Sequence, residues 1–127
     1  MSMPADAEPR LLLLVDDDDD IRDVAAAALE LVNGFRIVTA SNGLDALRQA
    51  KEHRPDGIVL DVMMPGMDGL ETVARLGADP ATADIPVILL TARVDGEKPT
   101  EAVAGVIRKP FDPMGLGNRI SELFGWT

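Results

Sequence analysis

The chain has no cysteine and no tyrosine, and only one histidine, one tryptophan and three phenylalanines in 127 residues. Without cysteine there is no disulfide framework and no thiolate metal site, a usage that suits a reducing compartment. Basic residues are also scarce: 12 lysines and arginines stand against 22 aspartates and glutamates, for a formal net charge of −10 and a pI near 4.4. A nucleic-acid binder needs a basic face for phosphate contacts, so the balance argues against a nucleic-acid partner. An acidic surface favours partners that carry positive charge. No apolar run approaches the roughly 20 residues that a membrane span requires. The opening residues, Met1-Ser2-Met3-Pro4-Ala5-Asp6-Ala7-Glu8-Pro9, lack the basic start and long apolar stretch of a signal peptide. Together these absences predict a cytoplasmic protein with no membrane partner.

What the chain does have is alternation. Residues 1–10, with two prolines and no periodicity, are expected to be a flexible tail, and 11–127 one folded domain of ordinary size. Leu11-Leu12-Leu13-Leu14-Val15 reads as a buried strand. Ile21, Val24, Ala25, Ala28, Leu29 and Val32 then follow helical spacing up to the stop signal Asn33-Gly34. A second strand covers 35–40. The helix after it places Leu44, Leu47 and Ala50 on one face and ends near Arg54-Pro55. Gly57-Ile58-Val59-Leu60 is a third strand, followed by a short helix around Leu70, Val73 and Leu76. A strand at 87–90, a weak helical stretch near 101–104, a strand at 106–108 and a last helix using Leu116, Ile120, Leu123 and Phe124 complete the chain. Strand and helix alternate five times, which predicts a parallel sheet covered on both faces, a three-layer α/β domain. With eighteen residues after Lys109, no output domain is expected to follow.

The chemistry gathers where the apolar runs stop. Asp61 ends the third strand, Asp16 and Asp17 end the first, Thr91 and Ala92 the fourth, and Lys109 the fifth. The carboxyl edge of a parallel sheet is where open α/β folds bind ligands, so these groups are expected to converge on one rim. In the run Asp16 to Asp20, the last three suit capping of the next helix. Asp16 and Asp17 follow a buried strand directly, where capping does not call for a pair. A calcium loop is excluded: counted from Asp16, the sixth position is Ile21 and the twelfth Ala27, where that loop needs glycine and glutamate. Carboxylates held together repel unless a cation compensates, and Mg²⁺ suits such a site because it takes oxygen ligands and keeps positions for water and phosphate. A carboxylate there can act as a nucleophile toward phosphorus. Lys109, the Thr91 hydroxyl and the Ala92 N–H would then serve the phosphoryl oxygens.

Leu13-Leu14-Val15-Asp16-Asp17-Asp18, Leu60-Asp61-Val62-Met63-Met64-Pro65-Gly66-Met67-Asp68-Gly69, Leu90-Thr91-Ala92 and Lys109-Pro110-Phe111 together resemble the signature of the receiver domain of two-component response regulators. The resemblance covers roughly 11–125. It implies a flavodoxin-like (βα)5 fold with a five-stranded parallel sheet in the order 2-1-3-4-5. It further implies that Asp61 is the phosphoacceptor and Asp17 a direct Mg²⁺ ligand. Asp16 would act on the metal mainly through water, and Met63 through its backbone carbonyl. Thr91 and Lys109 would bind the phosphoryl group, and the Lys109–Pro110 peptide would be cis. The expected partners are a histidine kinase or phosphotransfer protein upstream and a separate protein downstream.

Two features depart from that pattern. Val106 stands where receivers commonly carry an aromatic ring, so a ring-flip switch is excluded, and the segment between Thr91 and Lys109 looks short by about one helical turn. The helix there is expected to be stunted, with phosphorylation ordering 93–105. Met63 and Arg93 are expected at the mouth of the path by which water would attack, which predicts a long-lived phosphorylated form. A Mg²⁺-dependent phosphatase with the same aspartyl chemistry would need a second aspartate two residues after Asp61, where Met63 stands. A constitutive interaction domain would not need the full set of Asp16, Asp17, Asp61, Thr91 and Lys109. His53 and Met64 are read as a surface residue and loop packing.

Overall fold

The structure, a computed structural model, describes residues 9–64, 66–92 and 103–126. Strands β1 (Leu11–Val15), β2 (Arg36–Ala40), β3 (Gly57–Asp61), β4 (Val87–Thr91) and β5 (Gly105–Arg108) form one parallel sheet in the order β2-β1-β3-β4-β5. Helices α1 (Asp19–Asn33), α2 (Gly43–His53), α3 (Gly69–Ala78) and α4 (Pro113–Phe124) are those among the described residues. The expected stretch near 101–104 is not a helix at its described end, since Val103 and Ala104 bend into β5; 93–102, Arg93 included, lie outside the described residues.

Side chains on a strand alternate between faces, and the two cores divide accordingly. Leu13, Val15, Ile58, Leu60 and Leu89 pack with Ala46, Ala50, Val73 and Leu76 of α2 and α3. Leu12, Leu14, Val59, Ile88 and Leu90 pack with Ala25, Leu29, Leu116 and Ile120 of α1 and α4. The strands are buried on both sides, which is why they read as continuous apolar runs.

The helices seat on the sheet through smaller residues than their periodicity suggests. In α2 the buried positions are Gly43, Ala46 and Ala50, while Leu44 is 66% exposed. In α1 they are Ala25, Ala28 and Leu29, with Val24 and Val32 largely exposed. A leucine at every apolar position would hold these helices further from the strands; alanine lets the backbones approach.

Each helix start carries its own cap. Asp18, Asn42, Asp68 and Asp112 accept N–H bonds from the first turns of α1, α2, α3 and α4, satisfying donors that a helix leaves open. Gly34 ends α1 at φ 72°, a conformation open to glycine at little cost, as the Asn33-Gly34 signal predicts.

The amino ends of the strands are closed by aromatic packing. Trp126 lies on Phe124 with ring centroids 4.7 Å apart, meets Phe35 edge-on at 6.1 Å, and has the Arg10 guanidinium 4.4 Å above it. Arg10 is thus tied down by its side chain and by its carbonyl, which accepts from the Arg36 N–H. Gly57 makes room for this packing: a Cβ there would lie 2.6 Å from the Phe124 ring.

Candidate functional site

Because the sheet is parallel, every strand that stops in a functional residue stops at the same edge. The register pairs Val15 with Leu60, so Asp16 and Asp61 emerge side by side from β1 and β3. Carboxylate oxygens of Asp16, Asp17 and Asp61 all lie within 4.8 Å of one another. Asp16 and Asp61 are buried, at 0% and 3% exposure, and Asp17 is exposed.

Lys109 crosses from the end of β5 to join them. Its Nζ donates to Asp16 Oδ2 at 2.7 Å and stands 3.4 Å from Asp61 Oδ2. The backbone carries it there: the Lys109 N–H donates to the Thr91 carbonyl, and the Lys109–Pro110 peptide is cis. Thr91, the last residue of β4, is buried beside this edge. Ala92 is exposed and lines, with Ile21, Val24, Lys109, Pro110 and Phe111, an apolar groove of about 410 Å³ next to the site. That groove is where Val24 goes instead of the core.

Two backbone devices fix the Asp61 loop. The Met63 N–H donates to Asp61 Oδ1 at 3.2 Å, while the Met63 side chain is 60% exposed and Met64 is buried. Gly69, the first residue of α3, presses on the end of β3: its N–H donates to the Val62 carbonyl, and a Cβ would lie 2.5 Å from the Asp61 carbonyl oxygen. Gly69 closes the motif around Asp61, yet its task is invisible in the sequence. Nothing local marks the close approach, since the strand residue it meets precedes it by eight positions.

The Asp16 loop is held in a similar way. Asp16 Oδ1 accepts from the Asp18 N–H, and Arg22 folds back from α1 to donate to the Asp16 carbonyl at 2.8 Å and to Asp19 Oδ1 at 2.6 Å. Sequence reasoning misses Arg22 as well. Its only signal there is an Asp–Arg pair at i,i+3, which is common on helix surfaces.

Crowding sets the electrostatics. Burial first, and the neighbouring Asp16 charge second, raise the Asp61 pKa from its ordinary 3.8 to about 6, against the pull of Lys109. Burial works against the Lys109 ammonium, yet the hydrogen bond and charge of Asp16, with Asp61 behind it, hold its pKa above the usual value. A carboxylate raised this far marks a site short of positive charge. Three convergent carboxylate oxygens with an exposed member suit a small divalent cation such as Mg²⁺.

The response regulator receiver domain family matches residues 12–121. The chain belongs to that family. This receiver is 36% identical over 122 residues to the phosphate regulon transcriptional regulatory protein PhoB of Pseudomonas aeruginosa, covering 93% of the chain and 53% of that protein. It is 49% identical over 90 residues to the transcriptional regulatory protein AfsQ1 of Streptomyces coelicolor, covering 68% of the chain and 36% of that protein. The receiver thus spans about half or less of these curated relatives. Among solved structures it is similar to the Vibrio cholerae chemotaxis protein CheY4, with 31% identity, a TM-score of 0.83 and coverage of 91% and 98%. It is also similar to the receiver domain of a Pseudomonas aeruginosa sensor histidine kinase, with 28% identity, a TM-score of 0.81 and coverage of 92% and 98%. That structure has a magnesium ion coordinated in its active-site cleft. The flavodoxin-like fold and the 2-1-3-4-5 strand order expected from sequence are those of this receiver. No helix among the described residues is long and apolar enough to cross a membrane.

Proposed function

We propose that this receiver accepts a phosphoryl group on Asp61 from a histidine kinase or phosphotransfer protein. The observation that carries the reading is the buried Asp61 carboxylate, beside the Asp16–Asp17 pair and 3.4 Å from the Lys109 ammonium that Asp16 holds. A second solved receiver with magnesium in its cleft supports Mg²⁺ as the cation here.

In the proposed step an Asp61 carboxylate oxygen bonds to phosphorus as the bond from phosphorus to the donor imidazole nitrogen breaks, and that electron pair leaves with the imidazole. Asp17, Asp61 and the Met63 carbonyl would hold Mg²⁺ directly, with Asp16 acting on it mainly through water. When bound, Mg²⁺ supplies positive charge against the phosphoryl oxygens and favours ionised Asp61. Asp16 holds Lys109 over the site, and Lys109 faces the incoming oxygens. The Thr91 hydroxyl and Ala92 N–H add donors. The receiver catalyses its own phosphorylation and dephosphorylation and acts on no other substrate.

The proposed output is phosphorylation-dependent binding of a separate cytoplasmic protein, without nucleic acid. A second reading comes from the relatives: they are transcriptional regulators by name and about twice this length, so the receiver would control a neighbouring module of such a protein. Incubation with acetyl phosphate and Mg²⁺, followed by mass mapping, tests the core claim. Wild type should be labelled on Asp61, and Asp61→Asn and Asp17→Ala should not be labelled. Full labelling of Asp61→Asn on another aspartate overturns the assignment.

A further inference from the structure

Five consecutive aspartates follow β1, and among the described residues two cations bind this loop. They do so differently. Lys109 places its charge on the carboxylates. Arg22 places one nitrogen on a backbone carbonyl, that of Asp16, and the other on Asp19, which lies outside the convergent set. Its side chain is only 15% exposed against 79% for Asp19, so it lies folded over the loop where a surface pair would reach into solvent.

The Asp16 carbonyl belongs to the peptide plane that joins Asp16 to Asp17. A peptide is rigid and planar, so holding its oxygen fixes the direction in which the next residue leaves. Asp17 is exposed, and its position depends on the backbone that carries it. We propose that Arg22 is a positioning residue for the metal site, holding the Asp16–Asp17 peptide so that the Asp17 carboxylate stays aimed at Asp61. The inference rests on the reading of Asp16, Asp17 and Asp61 as the Mg²⁺ set.

The sign of the effect separates this role from a bland one. If Arg22 were merely a nearby positive charge, removing it would tighten binding of a cation. If it served only as an i,i+3 helix pair with Asp19, removing it would lower stability slightly and leave affinity alone. As a positioning residue its loss weakens binding, in the range of about tenfold known for groups that orient metal ligands.

The test is Mg²⁺ titration by calorimetry on wild type, Arg22→Ala, Arg22→Gln and Asp19→Asn, with amide NMR spectra verifying the fold. Both Arg22 variants should bind about tenfold more weakly. Asp19→Asn should stay close to wild type, because the bond to the carbonyl survives. Unchanged or tighter binding in the folded Arg22 variants overturns the proposal; if Arg22→Ala fails to fold, Arg22→Gln decides, since it keeps the stem. Wild type that is labelled on Asp61 and binds Mg²⁺ while the Arg22 variants match it sinks this inference alone. Wild type that binds no Mg²⁺ removes the functional reading as well.

Discussion

At the carboxyl ends of the strands, carboxylates and an ammonium crowd together and raise the Asp61 pKa to about 6. At the amino ends, Phe35, Phe124, Trp126 and Arg10 stack with no such conflict. One end carries charges that repel until a cation compensates them; the other is satisfied in the resting chain. The difference teaches that this receiver separates what it is for from what holds it together along the length of its strands. Changes at the two ends should therefore have opposite signatures.

The largest effect belongs to Gly69→Ala, which breaks the separation. A Cβ would meet the Asp61 carbonyl oxygen at 2.5 Å and the Val62 Cα at 2.7 Å, both backbone atoms that cannot swing aside. Labelling of Asp61 by acetyl phosphate should fall to background, with a loss in urea unfolding of about 1–3 kcal/mol from overpacking. Full labelling would mean that the loop has slack.

Trp126→Ala sharpens the comparison from the other end. It should destabilise by up to about 3 kcal/mol, at or below the low end for a core aromatic because Trp126 is only partly buried, while leaving Mg²⁺ affinity in calorimetry unchanged. A comparable loss of affinity would show that the two ends communicate.

Asp61→Asn should do the reverse of most buried substitutions and stabilise the metal-free protein. Asp61 binds its proton more tightly folded than unfolded, at about 6 against 3.8. The folded state is therefore favoured while the carboxyl is protonated, an advantage complete below the unfolded pKa and lost as pH rises through the folded one. Asparagine is neutral throughout, so at neutral pH without Mg²⁺ the variant should be more stable by roughly 2 kcal/mol, and near pH 4 the gap should close. Equal stability at both pH values in thermal melts would remove the strain argument.

The smallest effect is expected on the exposed face of α3. Arg75→Ala removes an exposed i,i+4 pair with Glu71 and should cost no more than about 0.5 kcal/mol in urea unfolding.

Strand ends are legible in the sequence because both faces of the sheet are covered: a run such as Ile58-Val59-Leu60 must be apolar throughout, so the aspartate that stops it stands out. Helix faces are less legible. Leu44 and Val24 read as core because periodicity counts size, whereas close seating on the sheet selects Ala46, Ala50 and Ala25. The site's carboxylates and lysine can be named in advance, since each ends an apolar run. Arg22 and Gly69 cannot: one binds a backbone carbonyl and the other makes room for backbone, and neither act has a side-chain signature. Trp126 is equally compatible with packing and exposure in the sequence, because its ring contacts with Phe35 and Arg10 span most of the chain.

The bond between Lys109 and Asp16 joins positions 93 residues apart. All three carboxylates precede β5 in the chain, and β5 is the edge strand that delivers the ammonium. A chain in which β1 has paired with β3 but β5 has yet to dock therefore holds its acids together without Lys109 between them. Like-charge repulsion then opposes the central pairing until the last strand arrives. Refolding should accelerate with added Mg²⁺, which supplies from solution the charge that the edge strand brings late, and Lys109→Ala should depend on the ion most.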